Sequence, residues 1–254
     1  MGLFSGTAAY YDKFRPGLPD AVVARIMDAV AEPLRLLDLG TGTGRVLEQF
    51  APYFKDIIAV EPDTEMLDIA RRRLHAFPAH FTNTTAENMM LPDGWQASLV
   101  TICRAFHWMD QKLVLQHLES AVAPAGVIAV FSDNSFWHGQ DVWAEIITTT
   151  LARYLGPKRR TALGSYKRPL EYFGDTFISP VFTKLERHTV PVVRQWTADQ
   201  IVGYLYSTSF ASKEVLGNKA ETFEQELRTR LREFSPENNY TEHNQFDILL
   251  ASRA

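Results

Sequence analysis

The chain has 254 residues, 46% of them hydrophobic and 22% charged. That suffices for one large α/β domain or two small ones and excludes a disordered chain. Cys103 is the single cysteine, which excludes an intramolecular disulfide and a metal site built on several thiolates. A net charge of -4 gives no general electrostatic footprint for nucleic acid. No segment reaches the ~20 apolar residues that span a bilayer. The start, Met1 to Gly6, lacks the charged and apolar regions of a secretory signal. A cytoplasmic protein without nucleic-acid or membrane partners is the expectation.

In chain order, residues 4–17 are aromatic and turn-rich, with Phe4, Tyr10, Tyr11, Phe14 and then Arg15-Pro16-Gly17. Helical spacing of Val22, Val23, Ile26 and Val30 predicts a helix over 19–31, with Pro19 near its start. Leu34–Leu39 is a short apolar strand followed by Gly40-Thr41-Gly42-Thr43-Gly44, after which Val46, Leu47, Phe50 and Ala51 resume helical spacing. Further strands are predicted at Ile57–Val60, from Phe81 to near Thr85, at Ser98–Cys103 and at Val127–Phe131, the last after a Pro124-Ala125-Gly126 turn. Helices over Asp63–Leu74 and Leu113–Val122 separate them, the first with Arg71–Arg73 on an exposed face. Strand–helix alternation without a two-residue period implies a mostly parallel sheet covered on both faces. From 134 to about 181, Phe136, Trp137, Trp143, Tyr154, Tyr166, Tyr172, Phe173 and Phe177 crowd a stretch in which only a helix over 141–155 is clear. It reads as an inserted cap. Strands at Phe182–Val190 and Phe246–Ser252 and helices at 198–206 and 218–234 complete the chain.

The glycine run is the most informative stretch. A strand ends in a turn that opens a helix, so backbone with positive φ and free N–H groups face the crevice beyond the strand ends. Two ligand classes compete there. A dinucleotide wants G-x-G-x-x-G, but Arg45 stands at the third glycine, and Asp38 puts a carboxylate where phosphate would be repelled. A carboxylate suits an ammonium group instead, as in S-adenosylmethionine (SAM). Glu61 ends the second strand, 21 positions after Gly40, where a carboxylate can accept both hydroxyls of a ribose. A solvent-exposed helix-cap acid is the competing reading. Met66 is polarizable enough to pack on an adenine, or is plain helix–sheet core.

Asp38–Gly44, Glu61 and Met66 resemble the motifs of class I SAM-dependent methyltransferases. More narrowly, Tyr11-Asp12-Lys13-Phe14-Arg15-Pro16 and Ala105-Phe106-His107-Trp108-Met109-Asp110 resemble the bacterial small-molecule group that includes trans-aconitate and natural-product methyltransferases. The likeness is specific over residues 8–131 and architectural beyond. It implies a Rossmann-like α/β fold with a mostly parallel seven-stranded sheet, helices on both faces and an inserted aromatic-rich cap. One domain over 1–254 would carry a lid arm at 1–18 and a substrate cap at 134–181. It also implies that Gly40, Gly42 and Gly44, with Asp38, line the methionine part of the cofactor. Glu61 and Pro62 would meet the ribose, with Met66, Ala86 and Glu87 at the adenine and Cys103 and Arg104 at the methionine tail. Tyr11 and Arg15 would close over the cofactor, Arg15 beside its carboxylate. S-adenosylhomocysteine (SAH) would be the product. Leu18 stands where relatives often carry Tyr, which removes an aromatic contact there.

Methyl transfer from a sulfonium needs alignment and exclusion of water more than a triad. His107 is the base candidate for an acceptor that must lose a proton, against a structural role packed with Trp108. Tyr11 joins it as a residue over the donor methyl, against plain anchoring of the arm. Tyr10, Trp108, Asp133, Asn134 and Trp137, with His138, are candidates for the acceptor pocket. Lys158-Arg159-Arg160 is a solvated helix end or an attraction for an acidic acceptor. No metal is expected. A small-molecule acceptor methylated on N or O is the leading reading, with homo-oligomerisation open. A nicotinamide-dependent oxidoreductase and a non-catalytic SAM-binding protein are the alternatives.

Overall fold

The structure is a computed structural model describing residues 7–134, 141–156, 160–161, 164–165, 177 and 179–254, with backbone alone at 160–161 and 164–165. Within the aromatic, turn-rich stretch expected at 4–17, Ala8–Phe14 form a helix, α1. Helix α2 (Asp20–Met27) starts after Pro19 and buries Val22, Val23 and Ile26, ending earlier than the periodicity suggests. Alternation then follows with β1 (Arg35–Leu39), a short α3 (Leu47–Phe50), β2 (Asp56–Val60), α4 (Thr64–Arg73), β3 (Ala79–Thr82), β4 (Ala97–Cys103), α5 (Gln111–Ala121) and β5 (Val122–Asp133). Helices α4 and α5 start on Asp63 and Asp110, whose carboxylates accept the Met66 and Leu113 N–H groups. The expected Pro124–Gly126 turn is absorbed into β5. The register shifts there, with Ala97 opposite Val122 and Leu99 opposite Val127.

Helix α6 (Val142–Leu155) lies where predicted, and a backbone ribbon of β6 (Arg160–Thr161) and β7 (Gly164–Ser165) follows. Strand β8 (Lys184–Trp196), helices α7 (Ala198–Tyr206), α8 (Lys213–Leu216) and α9 (Ala220–Phe234), and strand β9 (Tyr240–Ser252) close the chain. Both late strands run longer than predicted. The added part of β9 mixes polar and buried residues and β8 is exposed or half-buried along most of its length, which hides both from a search for apolar runs.

The seven-stranded sheet has the order β3-β2-β1-β4-β5-β9-β8. Strands β1 to β5 pair parallel, and β9 runs antiparallel to β5 from Asp133 opposite Phe246 to Val127 opposite Ser252. Chain order reverses between β1 and β4, which opens a crevice beyond their carboxyl ends.

Two compact units divide the chain. The α/β unit takes Gly17–Asp133, Arg168–Val190 and Phe246–Ala254. Its core joins Leu37, Val100 and Ile128 of the sheet to Phe106, Leu115 and Phe182. Phe177, expected in the cap, is buried in this core against Phe106, with ring centroids 6.1 Å apart. The helical unit takes Met1–Pro16, Asn134–Lys167 and Pro191–Gln245. Its core joins Trp143 and Ile147 of α6 to Leu205, Phe223, Leu227 and Tyr240. Trp143 and Tyr154, also expected in the cap, serve this unit. The indole N–H of Trp143 donates to the Thr241 carbonyl, and the Tyr154 hydroxyl donates to Glu226.

Candidate active site

The turn after β1 needs its glycines. Gly40, Gly42 and Gly44 have φ of 76°, 57° and 78°. At Gly40 a side chain is also excluded by packing, since a Cβ would stand 2.5 Å from the Cβ of Ala105. The turn after β4 therefore closes directly on the turn after β1. Gly44 lies against Ala70 and Leu74 of the α4 segment, with Cβ distances of 3.1–3.2 Å. Arg73, read from sequence as exposed, is drawn in. Its Nε donates to the Thr43 carbonyl at 3.0 Å and its Nη1 to Glu48 at 2.8 Å. That guanidinium fixes the glycine turn from outside.

Two carboxylates face this turn from strand ends. Asp38 is 2% exposed, its Oδ1 accepting from the Thr101 hydroxyl at 2.6 Å across the β1–β4 pairing. Among the described residues its Oδ2 has no hydrogen-bond partner, and neither does the buried hydroxyl of Thr43. Burial pushes the Asp38 carboxyl up to about 6, overcoming the hydrogen bonds from Thr101 and Thr41. Glu61 is 8% exposed, so the exposed-cap reading is wrong. Its Oε2 accepts from the Gly42 N–H at 2.8 Å and its Oε1 from the Asp63 N–H at 2.9 Å. Burial raises its pKa also, against those two hydrogen bonds. Each oxygen held by one N–H keeps acceptor capacity for a ligand hydroxyl. Asn83, which no motif singles out, donates from one amide nitrogen to the carbonyls of Glu61 and Pro62 at 2.9 and 3.0 Å. It pins the backbone that carries the acid.

Met66 is buried at 2% exposure, while Pro62 is exposed. Ala86 is buried, and the Glu87 carboxylate accepts the Asp110 N–H at 2.7 Å, joining the turn after β3 to the start of α5. Cys103 is half-buried at the end of β4. Arg104 follows with a left-handed φ of 55°. Its Nε donates to Asp133 at 2.6 Å, so the residues expected to serve cofactor and acceptor separately are paired with one another. His107 and Trp108 lie in the single 3-10 turn Phe106–Trp108, ring centroids 4.7 Å apart. Among the described residues no hydrogen bond reaches either ring nitrogen of His107, whose side chain is half-buried. Burial lowers its pKa to about 4.

The remaining candidates belong to the helical unit. Tyr10 packs edge-on against Tyr206 at 5.4 Å. Arg15 lies over the rings of Tyr11 and Tyr204 and donates to the Ser207 and Tyr204 hydroxyls at 2.8 and 2.9 Å. Two of its nitrogens are thus engaged within this unit. The Asn134 carbonyl accepts from Asn244, which also donates to the buried Glu242. Trp137, His138, Lys158 and Arg159 lie outside the described residues, and of Arg160 only the backbone is described.

A ligand that fits the α/β unit's site carries a cation for the partnerless oxygen of Asp38 and a diol for the prealigned oxygens of Glu61. It must also lie close enough to the backbone to use a turn without side chains. SAM has these features. Among the described residues no group of His, Cys, Asp and Glu could hold a metal ion, and no helix is long and apolar enough to cross a membrane.

A family profile described as a methyltransferase domain matches residues 36–126. A methyltransferase of Mycobacterium tuberculosis is 26% identical over 210 residues, covering 82% of this chain and 76% of its own length. A methyltransferase-like protein of Schizosaccharomyces pombe is 27% identical over 217 residues, 83% and 78% of the two chains. In fold, the chain is similar to a candidate type II methyltransferase from Anaeromyxobacter dehalogenans, with a TM-score of 0.68 at 21% identity, covering 94% of this chain and 98% of that one.

Proposed function

We infer that this chain, a member of the SAM-dependent methyltransferase family, transfers a methyl group to nitrogen or oxygen of a small-molecule acceptor, working mainly by alignment and exclusion of water. Bound SAM supplies a methyl group on a sulfonium, already activated for displacement. The buried, partnerless oxygen of Asp38 beside the glycine turn carries the reading, because it supplies a site for an ammonium group and none for a phosphate. Glu61 takes the ribose hydroxyls. Gly40 and Gly42 give the methionine part close approach, with Cys103 beside them. Ala86 and Glu87 form the adenine side, and Met66 packs beneath it.

His107 stands three residues beyond Arg104, its ring nitrogens without a hydrogen bond among the described residues. Neutral at physiological pH, it is in the form that accepts a proton from a hydroxyl or directs one by hydrogen bonding. An acid-side loss of turnover caused by His107 then lies near pH 4 rather than near neutrality. Where the acceptor must lose a proton, His107→Ala lowers turnover by roughly 10²–10⁴-fold, and where it arrives deprotonated the loss is small.

The test of the Asp38 assignment is calorimetry with SAH between pH 5 and 8. Wild-type affinity should rise as pH rises through about 6, as the carboxylate ionises and pairs with the ammonium. Asp38→Asn should bind weakly and without that dependence. Equal pH profiles in the two proteins would remove Asp38 from the site.

A further inference from the structure

The ends of β4 and β5 are joined in an unusual way. Cys103 stands opposite Phe131 in the parallel ladder, and the Arg104 N–H extends it by donating to the Phe131 carbonyl at 3.0 Å. The chain then turns through a left-handed φ of 55° at Arg104, a conformation that side chains with a Cβ avoid. Something must hold it there. The Arg104 guanidinium donates to Asp133 at 2.6 Å, with the two side chains 15% and 5% exposed, and lies 5.4 Å from the centre of the Phe246 ring. A charge-assisted hydrogen bond in such a dry setting is strong, and loss of either partner leaves the other charge uncompensated. The next residue, Ala105, meets the backbone of Gly40 with no room for one more carbon, and the 3-10 turn holding His107 and Trp108 follows at once.

We propose that Arg104 and Asp133 are positioning residues whose ion pair fixes the 105–109 turn against the glycine turn and thereby sets the orientation and dryness of His107. Phe106 anchors the turn to the core on one side. The ion pair anchors it on the other and opposes relaxation of the left-handed backbone. Without the pair, the turn swings out and water reaches the imidazole.

The test reads His107 directly by NMR titration of the histidine ring protons, with the resonance assigned from His107→Gln. In the wild type, His107 should stay neutral from pH 8 to 5.5. In Asp133→Asn, which keeps the shape and loses the charge, and in Arg104→Lys, which keeps the charge and loses the Nε–H, it should titrate near the free value of about 6.5. The double variant should match the single ones, since both break one interaction. Cooperative thermal unfolding identifies the variants that remain folded, and either one suffices. A His107 that stays untitrated in a folded variant overturns the proposal. A second arm rests on the methyltransferase reading. SAH affinity should fall about tenfold in the variants, because the glycine turn loses its packing surface. A wild-type protein that does not bind SAH would contradict that reading, and the ring titration would still decide on the ion pair.

Discussion

Asp38 and His107 are shifted in opposite directions by one cause, burial, and this gives a signature in stability. Asp38 is raised to about 6, so its ionisation weighs against the folded state as pH rises through that value. His107 is lowered to about 4, so its contribution is present above about 6.5 and is lost as pH falls. Each shift is worth up to about 3 kcal/mol, and the two nearly cancel between pH 4 and 6.5. Thermal midpoints across this range should therefore change little in the wild type through these two groups. Asp38→Asn should lose stability on acidification and His107→Gln should gain it. Parallel profiles in the two variants would show that the two groups are not shifted in opposite directions. Arg73 offers a test at the same scale. Arg73→Met keeps the packed stem and loses the donor to the Thr43 carbonyl. SAH affinity should fall about three- to tenfold, a net hydrogen bond's worth, whereas Glu48→Gln, which removes only the outer pair, should leave affinity unchanged.

Among the elements, α1 departs furthest from expectation. Tyr10, Tyr11, Phe14 and Arg15 read as part of an aromatic, turn-rich arm because no apolar stripe of useful length marks them. The partner that makes them a helix is distant in sequence. Phe14 sits on Gly203 of α7, so closely that a Cβ there would overlap the ring, and Arg15 is tied to Tyr204 and Ser207. A single glycine in a good amphipathic helix carries no mark of what lies on it. Gly203→Ala should displace Phe14 and destabilise the protein by about 1–3 kcal/mol. Unchanged thermal stability would show that α1 is not seated there. Deleting residues 1–16 should likewise unsettle the helical unit, in which α1 packs. By contrast, α7 matches its predicted span, because Thr197 and Gln200 form a reciprocal cap at its start.

At the scale of the whole molecule, parallel topology was readable because buried parallel strands are continuous apolar runs separated by helices. The glycine turn and Glu61 were readable for a related reason, since strand ends, turn and acid follow one another locally. What escaped was long-range. The Arg104–Asp133 pair, the Asn83 amide under Glu61 and the Arg73 contact to the glycine turn each join residues far apart in sequence through side chains common on any surface. Composition does not tell where Phe177 and Trp143 pack, because an aromatic in a core and an aromatic in a pocket look alike in sequence. The candidate cofactor site lies in the α/β unit, where strand ends bring Asp38, Gly42 and Glu61 together. It is tested most directly by calorimetric titration of SAH and of NAD into the wild type and a folded Glu61→Ala variant. SAH should bind the wild type and lose roughly 10- to 100-fold in the variant, as ribose hydrogen bonds to a buried carboxylate disappear, with NAD binding neither. Equal SAH affinity in both proteins, or binding of NAD in place of SAH, would contradict the account.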